Sequence, residues 1–315
     1  MARPSILDIV DHARTCVRSV LSPSMRDTLS KYTSAFDAAH IEEPAVTLNL
    51  FVFHVEVPES HRVIDYIDVK HDHGAFDYGK LASHFLWAGS NFDRGVRVYY
   101  VTDETSALPR QLPQNTIVIR LAMDPTAPML ERVIAMNAYV QSRAFSRNTA
   151  FLDSDAYPNR SLGSIFNGRF DVGVTYRTTP GYMPLNEGVI FCSQDDREAV
   201  RNFFSAYLGT YESIMQDATI RDYYGDIKRW RGGQLSLNAV ACPQVSLREI
   251  KQVKDFRVGG SRIGLLPCNL FNYWVTRAHR PGTRTWDRKF VLHLKGDSKK
   301  FIDDVIAYQV KRARA

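Results

Sequence analysis

Short apolar runs separated by stretches of helical period constrain this 315-residue chain more than any other feature. Val46 to Val55, Val96 to Thr102, Thr116 to Leu121 and Thr149 to Asp153 are rich in β-branched and aromatic residues and too short for core helices, which predicts buried strands. Between them, Tyr78 to Trp87 and Pro128 to about Phe145 read as helices, the second with Met129, Val133, Met136, Val140 and Ala144 on one face. Strands alternating with helices at this spacing predict an α/β fold, a Rossmann-like, mixed but mainly parallel sheet with helices on both faces. An N-terminal helical extension is expected over 1–44, where Ile6, Ile9, Val10, Ala13, Val17, Val20 and Leu21 recur at helical spacing, and a C-terminal basic helix over 301–315.

Several function classes drop out on composition. The four cysteines, Cys16, Cys192, Cys242 and Cys268, are scattered without a Cys-x-x-Cys pair, so they read as reduced core residues rather than a zinc site or disulfide frame. No run approaches the roughly 18 apolar residues a membrane span requires, and Asp8, Asp11, His12 and Arg14 break any signal-peptide core. A soluble cytoplasmic protein is expected, with peripheral contact to the inner face of a membrane as the alternative role for the first helix. The formal charge of +6 suits anionic partners, but aromatics do not interleave with Lys and Arg, so nucleic acid is not an expected partner. Neither a glycine-rich dinucleotide fingerprint nor a phosphate-binding P-loop is present. His71-Asp72-His73 has the look of a ligand cluster but lacks a second pair and reads as a polar loop.

The fourth strand ends abruptly in Asp153-Ser154-Asp155. Strand alternation would put Asp153 and Asp155 on one face at the strand's carboxyl end, where open α/β sheets bind ligands. Two carboxylates so placed suit Mn²⁺ or Mg²⁺, with water and substrate phosphates completing the shell. The second strand ends in Asp103, another carboxyl-end acid and a candidate donor contact. Near the C-terminus, His293 closes the apolar run Phe290 to Leu292 beside Lys295, Gly296 and Lys299, which together can face a diphosphate.

Taken in order, Asp153-x-Asp155, then Asn186-Glu187-Gly188-Val189, then Gln234 and Asn238, then His293-x-x-Gly296-x-x-Lys299 resemble the motifs of the GT-A glycosyltransferases. The resemblance is to the retaining, manganese-dependent transferases of the glycogenin and lipopolysaccharide galactosyltransferase kind, and it covers about half the chain, from Phe151 to Lys300. Gly233 stands where that family has an Asp, Leu294 where it has an aromatic, and Lys300-Phe301 where it has Pro-Trp. The resemblance implies a GT-A catalytic domain over 45–300, with a nucleotide-binding half over 45–160 and an acceptor half over 161–300. It implies that His293 completes the metal site of Asp153 and Asp155, that Lys299 neutralises phosphate, and that Asn186, Gly188 and Asn238 hold the donor. It also implies a UDP-sugar donor, a glycan or lipid-linked glycan acceptor, and retention of configuration.

Two residues are the candidates for chemistry. Glu187 would stabilise an oxocarbenium-like transition state or act as a base toward the acceptor, and Gln234 would contact the reacting sugar. An inverting reaction would instead need a base among Glu187, Asp195 and Asp196. Two other classes share the strand pattern. A nucleotidyltransferase would carry a glycine-rich basic segment after the first strand, where Glu56-Val57-Pro58-Glu59-Ser60 stands, and a non-catalytic sugar-binding relative would have no need of the metal site.

Overall fold

The computed structural model describes residues 4–66, 69–72, 75–276 and 284–314. Two helices, α1 (Ile6–Arg14) and α2 (Pro23–Ala39), precede strand β1 (Leu48–Phe53), and a small hairpin of β2 (Val63–Tyr66) and β3 (Val69–Asp72) follows. Then come α3 (Tyr78–Phe92), β4 (Val96–Asp103), β5 (Thr116–Leu121), α4 (Pro128–Gln141), β6 (Asn148–Asp153) and β7 (Ala156–Pro158). The chain continues through β8 (Val172–Tyr176), β9 (Leu185–Cys192), α5 (Arg197–Gln216), α6 (Ala218–Tyr224) and α7 (Gly232–Ala241). It ends with β10 (Phe256–Val258), β11 (Ser261–Pro267), α8 (Cys268–Phe271), β12 (Tyr273–Trp274), α9 (Arg284–Asp287), β13 (Val291–His293) and α10 (Ile302–Ala313).

Eight of the strands form one mixed sheet in the order β10-β11-β8-β9-β6-β1-β4-β5, with helices on both faces, as the alternation predicts and in keeping with a Rossmann-like GT-A layout. Four of its seven pairings are parallel. Strands β1 and β4 are buried at every position, because a sheet covered on both faces needs near-continuous apolar strands. Their alternation sorts the core into two layers. Phe51, Tyr99, Val101 and Phe151 face α2, α4 and α5, whereas Leu50, Val52, Val98, Tyr100 and Leu152 face α3 and α10. In the first layer the Tyr139 ring lies 5.4 Å from Phe51 and 5.5 Å from Phe36, both edge-on, which ties α2 and α4 to the sheet.

The topology decides which loops meet. β9 runs antiparallel to both β6 and β8, so β6 and β8 are parallel to each other and finish at the same edge where β9 begins. Phe53 pairs with Asp153 in register, which sets the segment after β1 beside the acid of β6. A second sheet, β12-β13-β7, then folds the C-terminal region back: β13 pairs with β7 with His293 opposite Ala156, and Leu294 N–H donates to Asp155 O at 2.9 Å. A histidine remote in sequence is thereby fixed next to Asp155. Behind it, α10 is anchored on α3 by a 2.7 Å contact between His84 Nε2 and Gln309 Oε1.

Three local expectations change. The first amphipathic helix stops at Arg14 rather than running to Leu21, with Thr15 as its C-cap, and a second helix opens at Ser22-Pro23, where the serine caps Met25 N–H and the proline needs no N–H partner. The helix from Pro128 ends at Gln141, four residues before Phe145. His71 and Asp72 belong to β3 rather than to a polar loop, and His73 lies outside the described residues.

Candidate functional site

Asp153, Asp155 and His293 converge, each offering a ligand atom within 4.8 Å of the others. His293 Nε2 lies 3.0 Å from Asp155 Oδ1 and 3.7 Å from Asp153 Oδ2. The tautomer follows from the neighbours. The amide nitrogen of Asn272 donates to Thr175 Oγ1 at 2.9 Å and to Asn186 Oδ1 at 2.6 Å, which leaves its oxygen, 2.7 Å away, to accept from His293 Nδ1–H. The Nε2 lone pair therefore faces two carboxylates, and only a cation satisfies both sides. Burial holds the imidazole pKa below its usual value, so a proton fills that gap poorly near neutrality.

A divalent metal ion fits better. One nitrogen and two carboxylate oxygens form a suitable donor set, and the hydrogen bond from Nδ1 to Asn272 orients the ring as metal-ligating histidines are commonly oriented. Gly188 leaves the space. A Cβ there would lie 2.5 Å from His293 Cε1 and 2.6 Å from Asp153 Oδ2, so only glycine lets β9 pass under the three ligands.

Two cations hold the acids in place. Arg132, buried on α4, lies with its Nη2 2.9 Å from Asp153 Oδ1 and donates from the same nitrogen to Glu187 O at 2.9 Å, and Lys299 Nζ lies 2.6 Å from Asp155 Oδ2. Despite burial, Lys299 keeps the Asp155 carboxyl well below the usual carboxylate range. Three carboxylates, counting Glu187, meet the buried cations Arg132 and Lys299 here, with Lys295 and Arg231 also near enough to act on them.

Glu187, near the start of β9, is buried and rigidly held. Tyr207 of α5 donates its hydroxyl to Oε2 at 2.9 Å, and Arg132 Nη1 lies 3.3 Å from the same oxygen as a charge contact without an aligned hydrogen bond. Burial raises the Glu187 pKa, with the nearby Arg132 opposing it. A Cβ on Gly233 would sit 2.2 Å from Glu187 Oε2, so the glycine found at that position makes room for this carboxylate. Beside it, Gln234 accepts from Asn186 Nδ2 at 3.1 Å, and its own amide nitrogen has no hydrogen-bond partner among the described residues. Asn186 Oδ1 also receives Lys295 Nζ at 3.3 Å. Burial pulls the Lys295 pKa down to about 8.

These residues line one cavity of about 750 Å³ whose floor is the carboxyl edge of β1, β6 and β8. Asp153, Asp155, Asn186, Glu187, Gly188, Gln234, His293, Lys295, Gly296 and Lys299 all belong to its wall. Asp103 and Asn238 do not. Asp103 accepts from the Thr105 hydroxyl at 2.5 Å and Ser106 N–H at 3.1 Å, capping its own turn, and Asn238 clamps α7 to β9 by bonding Leu185 N–H at 2.8 Å and Leu185 O at 3.0 Å. Both side chains are spent on backbone that the strand ends would otherwise leave unpaired.

Arg132, Tyr207 and Asn272 escaped sequence reading. Arg132 had a signal: it falls three residues after Met129 and four before Met136, a charge on an apolar helical face. Tyr207 and Asn272 had none, because only the fold sets them against Glu187 and His293.

No protein-family model matches the chain, and no curated protein matches it in sequence. Among solved structures, the chain is similar to the crystal structure of a glycosyltransferase involved in the glycosylation of the major capsid of PBCV-1, at 12% identity and a TM-score of 0.41, over 82% of this chain and 99% of that one.

Proposed function

We propose that this chain is a metal-dependent GT-A glycosyltransferase that moves a sugar from a nucleoside diphosphate donor, UDP-linked, to a hydroxyl of a glycan or lipid-linked glycan, with retention of configuration. The observation that carries this reading is the convergence of Asp153, Asp155 and His293 over Gly188 at the carboxyl edge of the sheet, inside a cavity large enough for a nucleotide sugar. Residues 45–160 would form the nucleotide-binding half and 161–300 the acceptor half. A divalent ion, Mn²⁺ or Mg²⁺, held by the three ligands would supply positive charge to the departing diphosphate.

The chain's own groups do the rest. Lys299, already 2.6 Å from Asp155, stands where it can neutralise a phosphate oxygen. Gln234 lines the cavity wall, where its amide, oriented by Asn186, would contact a sugar hydroxyl. Glu187, pinned by Tyr207 and Arg132, presents a carboxylate beside the metal corner to steady positive charge developing on the sugar ring. Because Arg132 touches both Asp153 and Glu187, it couples the metal corner to the sugar-facing acid.

No helix among the described residues is long and apolar enough to cross a membrane. We place the enzyme in the cytoplasm, with α1 as its candidate contact with a membrane surface.

The test is hydrolysis of a panel of UDP-, GDP- and CMP-sugars with and without Mn²⁺, followed by proton NMR of the released anomer. Manganese-dependent release of the same anomer as in the donor supports the reading. Release of a sugar phosphate would indicate nucleotidyl chemistry, and folded protein that binds donor without turnover would indicate a binding protein.

A further inference from the structure

We propose that the far end of the cavity, where β8 finishes, is an anion subsite built from Arg177 and Lys295 that reads a carboxylate or phosphate on the acceptor, so that the acceptor is an acidic sugar rather than a neutral one. This rests on the function proposed above and narrows its substrate class.

The buried cations of the wall already have counter-charges, Arg132 in Asp153 and Glu187 and Lys299 in Asp155, whereas Arg177 and Lys295 are half-buried. Arg177 and Lys295 line the same cavity, and among the described residues neither forms an ion pair. Arg177 is nevertheless fixed. Its backbone N–H donates to Pro184 O at 2.8 Å, its Nε donates to Met183 O at 2.8 Å, and its guanidinium lies over the Tyr182 ring at 4.9 Å. Nε is thus used by the protein and the two terminal nitrogens remain for a ligand, the fork that matches a carboxylate or phosphate.

Lys295 is brought to the same place from another element. The register of β11 against β8 pairs Pro267 with Tyr176, which sets Cys268 beside Arg177, and both Arg177 and Lys295 feel Cys268, while Lys295 also feels Arg177, Asp153 and Asp155. Arg231, at the start of α7, adds a third positive charge near Arg177. Burial and the Arg231 charge lower the Arg177 pKa, the signature of a cation whose surroundings lack an anion.

Position separates Arg177 from the donor, while Lys295, bonded to Asn186 and near Asp153 and Asp155, reaches toward the metal corner. In the sheet order β8-β9-β6-β1-β4-β5, the nucleotide-binding half lies on one side of β6 and β8 lies on the other. At one strand spacing each, β8 is about 10 Å from β6 and its metal ligands. A diphosphate held by Asp155 and Lys299 is served without Arg177. An acceptor entering over β8, past the half-exposed Trp274, meets Arg177 first.

The test is calorimetry on the full chain, saturated with UDP and Mn²⁺ so that the donor subsite is filled. Glucuronate, glucose 6-phosphate and glucose are titrated into wild type, Arg177→Gln and Lys295→Met, each checked for folding by circular dichroism. We expect both acidic sugars to bind at least about tenfold more tightly than glucose, and either substitution to remove that preference while Arg177→Gln leaves UDP affinity within about twofold of wild type. Equal affinity for glucose and glucuronate overturns the proposal, as does an equal loss of UDP and acidic-sugar affinity in Arg177→Gln, which would assign the pair to the diphosphate. UDP-glucuronate and UDP-glucose separate the two sources of the acid: a preference for UDP-glucuronate that vanishes in Arg177→Gln moves the acid to the transferred sugar and overturns the acceptor assignment. If UDP with Mn²⁺ does not bind wild type, the glycosyltransferase reading fails on its own, and the same sugar titrations without UDP still decide whether the subsite selects acids.

Discussion

The two ends of the cavity are built on opposite principles. At the metal corner each acid has its cation, the histidine has its tautomer set by Asn272, and glycine clears the floor, so one small gap suited to a positive charge remains. At the β8 end, Arg177 and Lys295 stand without carboxylate partners. A saturated polar network is rigid and selective for what completes it, whereas half-buried cations without ion pairs gain stability when a counter-charge arrives. The first end is thus a preorganised socket and the second a receiving surface, and substitutions should affect them differently.

The largest expected effect is at the socket. Asp155→Asn removes a ligand and leaves Lys299 and His293 facing a neutral group, so Mn²⁺ affinity measured by calorimetry should fall by more than about 100-fold. Gly188→Ala should come next. Its Cβ would crowd His293 and Asp153, at 2.5 Å and 2.6 Å, and Mn²⁺ affinity should fall about 10- to 100-fold in a protein that still folds. Gly233→Ala tests whether the chemistry lies beside the socket rather than in it. Displacing Glu187 Oε2, 2.2 Å from the new Cβ, should lower kcat by about 100-fold and leave Mn²⁺ affinity near wild type.

The smallest effect lies outside both ends and sets the pH range in which the comparison is clean. His54 and His84 are buried and held neutral, each with its pKa lowered to about 4 by burial. The folded pKa lies below the unfolded value of 6.5, so the unfolded state binds more protons between the two. Stability is therefore fully present above pH 6.5 and declines as the pH falls toward 4. Urea midpoints at pH 7 and pH 5 should differ by an amount equivalent to about 2 kcal/mol for each histidine.

Legibility differed between the two ends for the same physical reason. The strands of β1, β4, β5 and β6 showed through because a sheet covered on both faces demands unbroken apolar runs. Asp153, Asp155, His293 and Lys299 were visible because their residue types sit at strand ends in a recognisable order, and the structure brings them together. Asp103 and Asn238 show the limit of that logic: residue type was right for a donor contact, yet nearby backbone groups claimed both side chains. Within the helical extension expected over 1–44, α2 was not delimited because its buried residues, Met25, Tyr32 and Phe36, are few and widely spaced, although Ser22-Pro23 marked its start. Arg177 was unreadable from sequence, since its significance lies in what does not pair with it, and that depends on the arrangement of β8, β11 and the segment after β13.

The most direct test of the central claim is UDP binding to wild type and Asp155→Asn by calorimetry, with and without Mn²⁺. The account predicts tight UDP binding to wild type only when Mn²⁺ is present, and loss of that dependence in the variant. UDP affinity that is equal with and without Mn²⁺ in wild type, or unchanged by the substitution, would contradict the assignment of Asp153, Asp155 and His293 as the metal site of a nucleotide-sugar transferase.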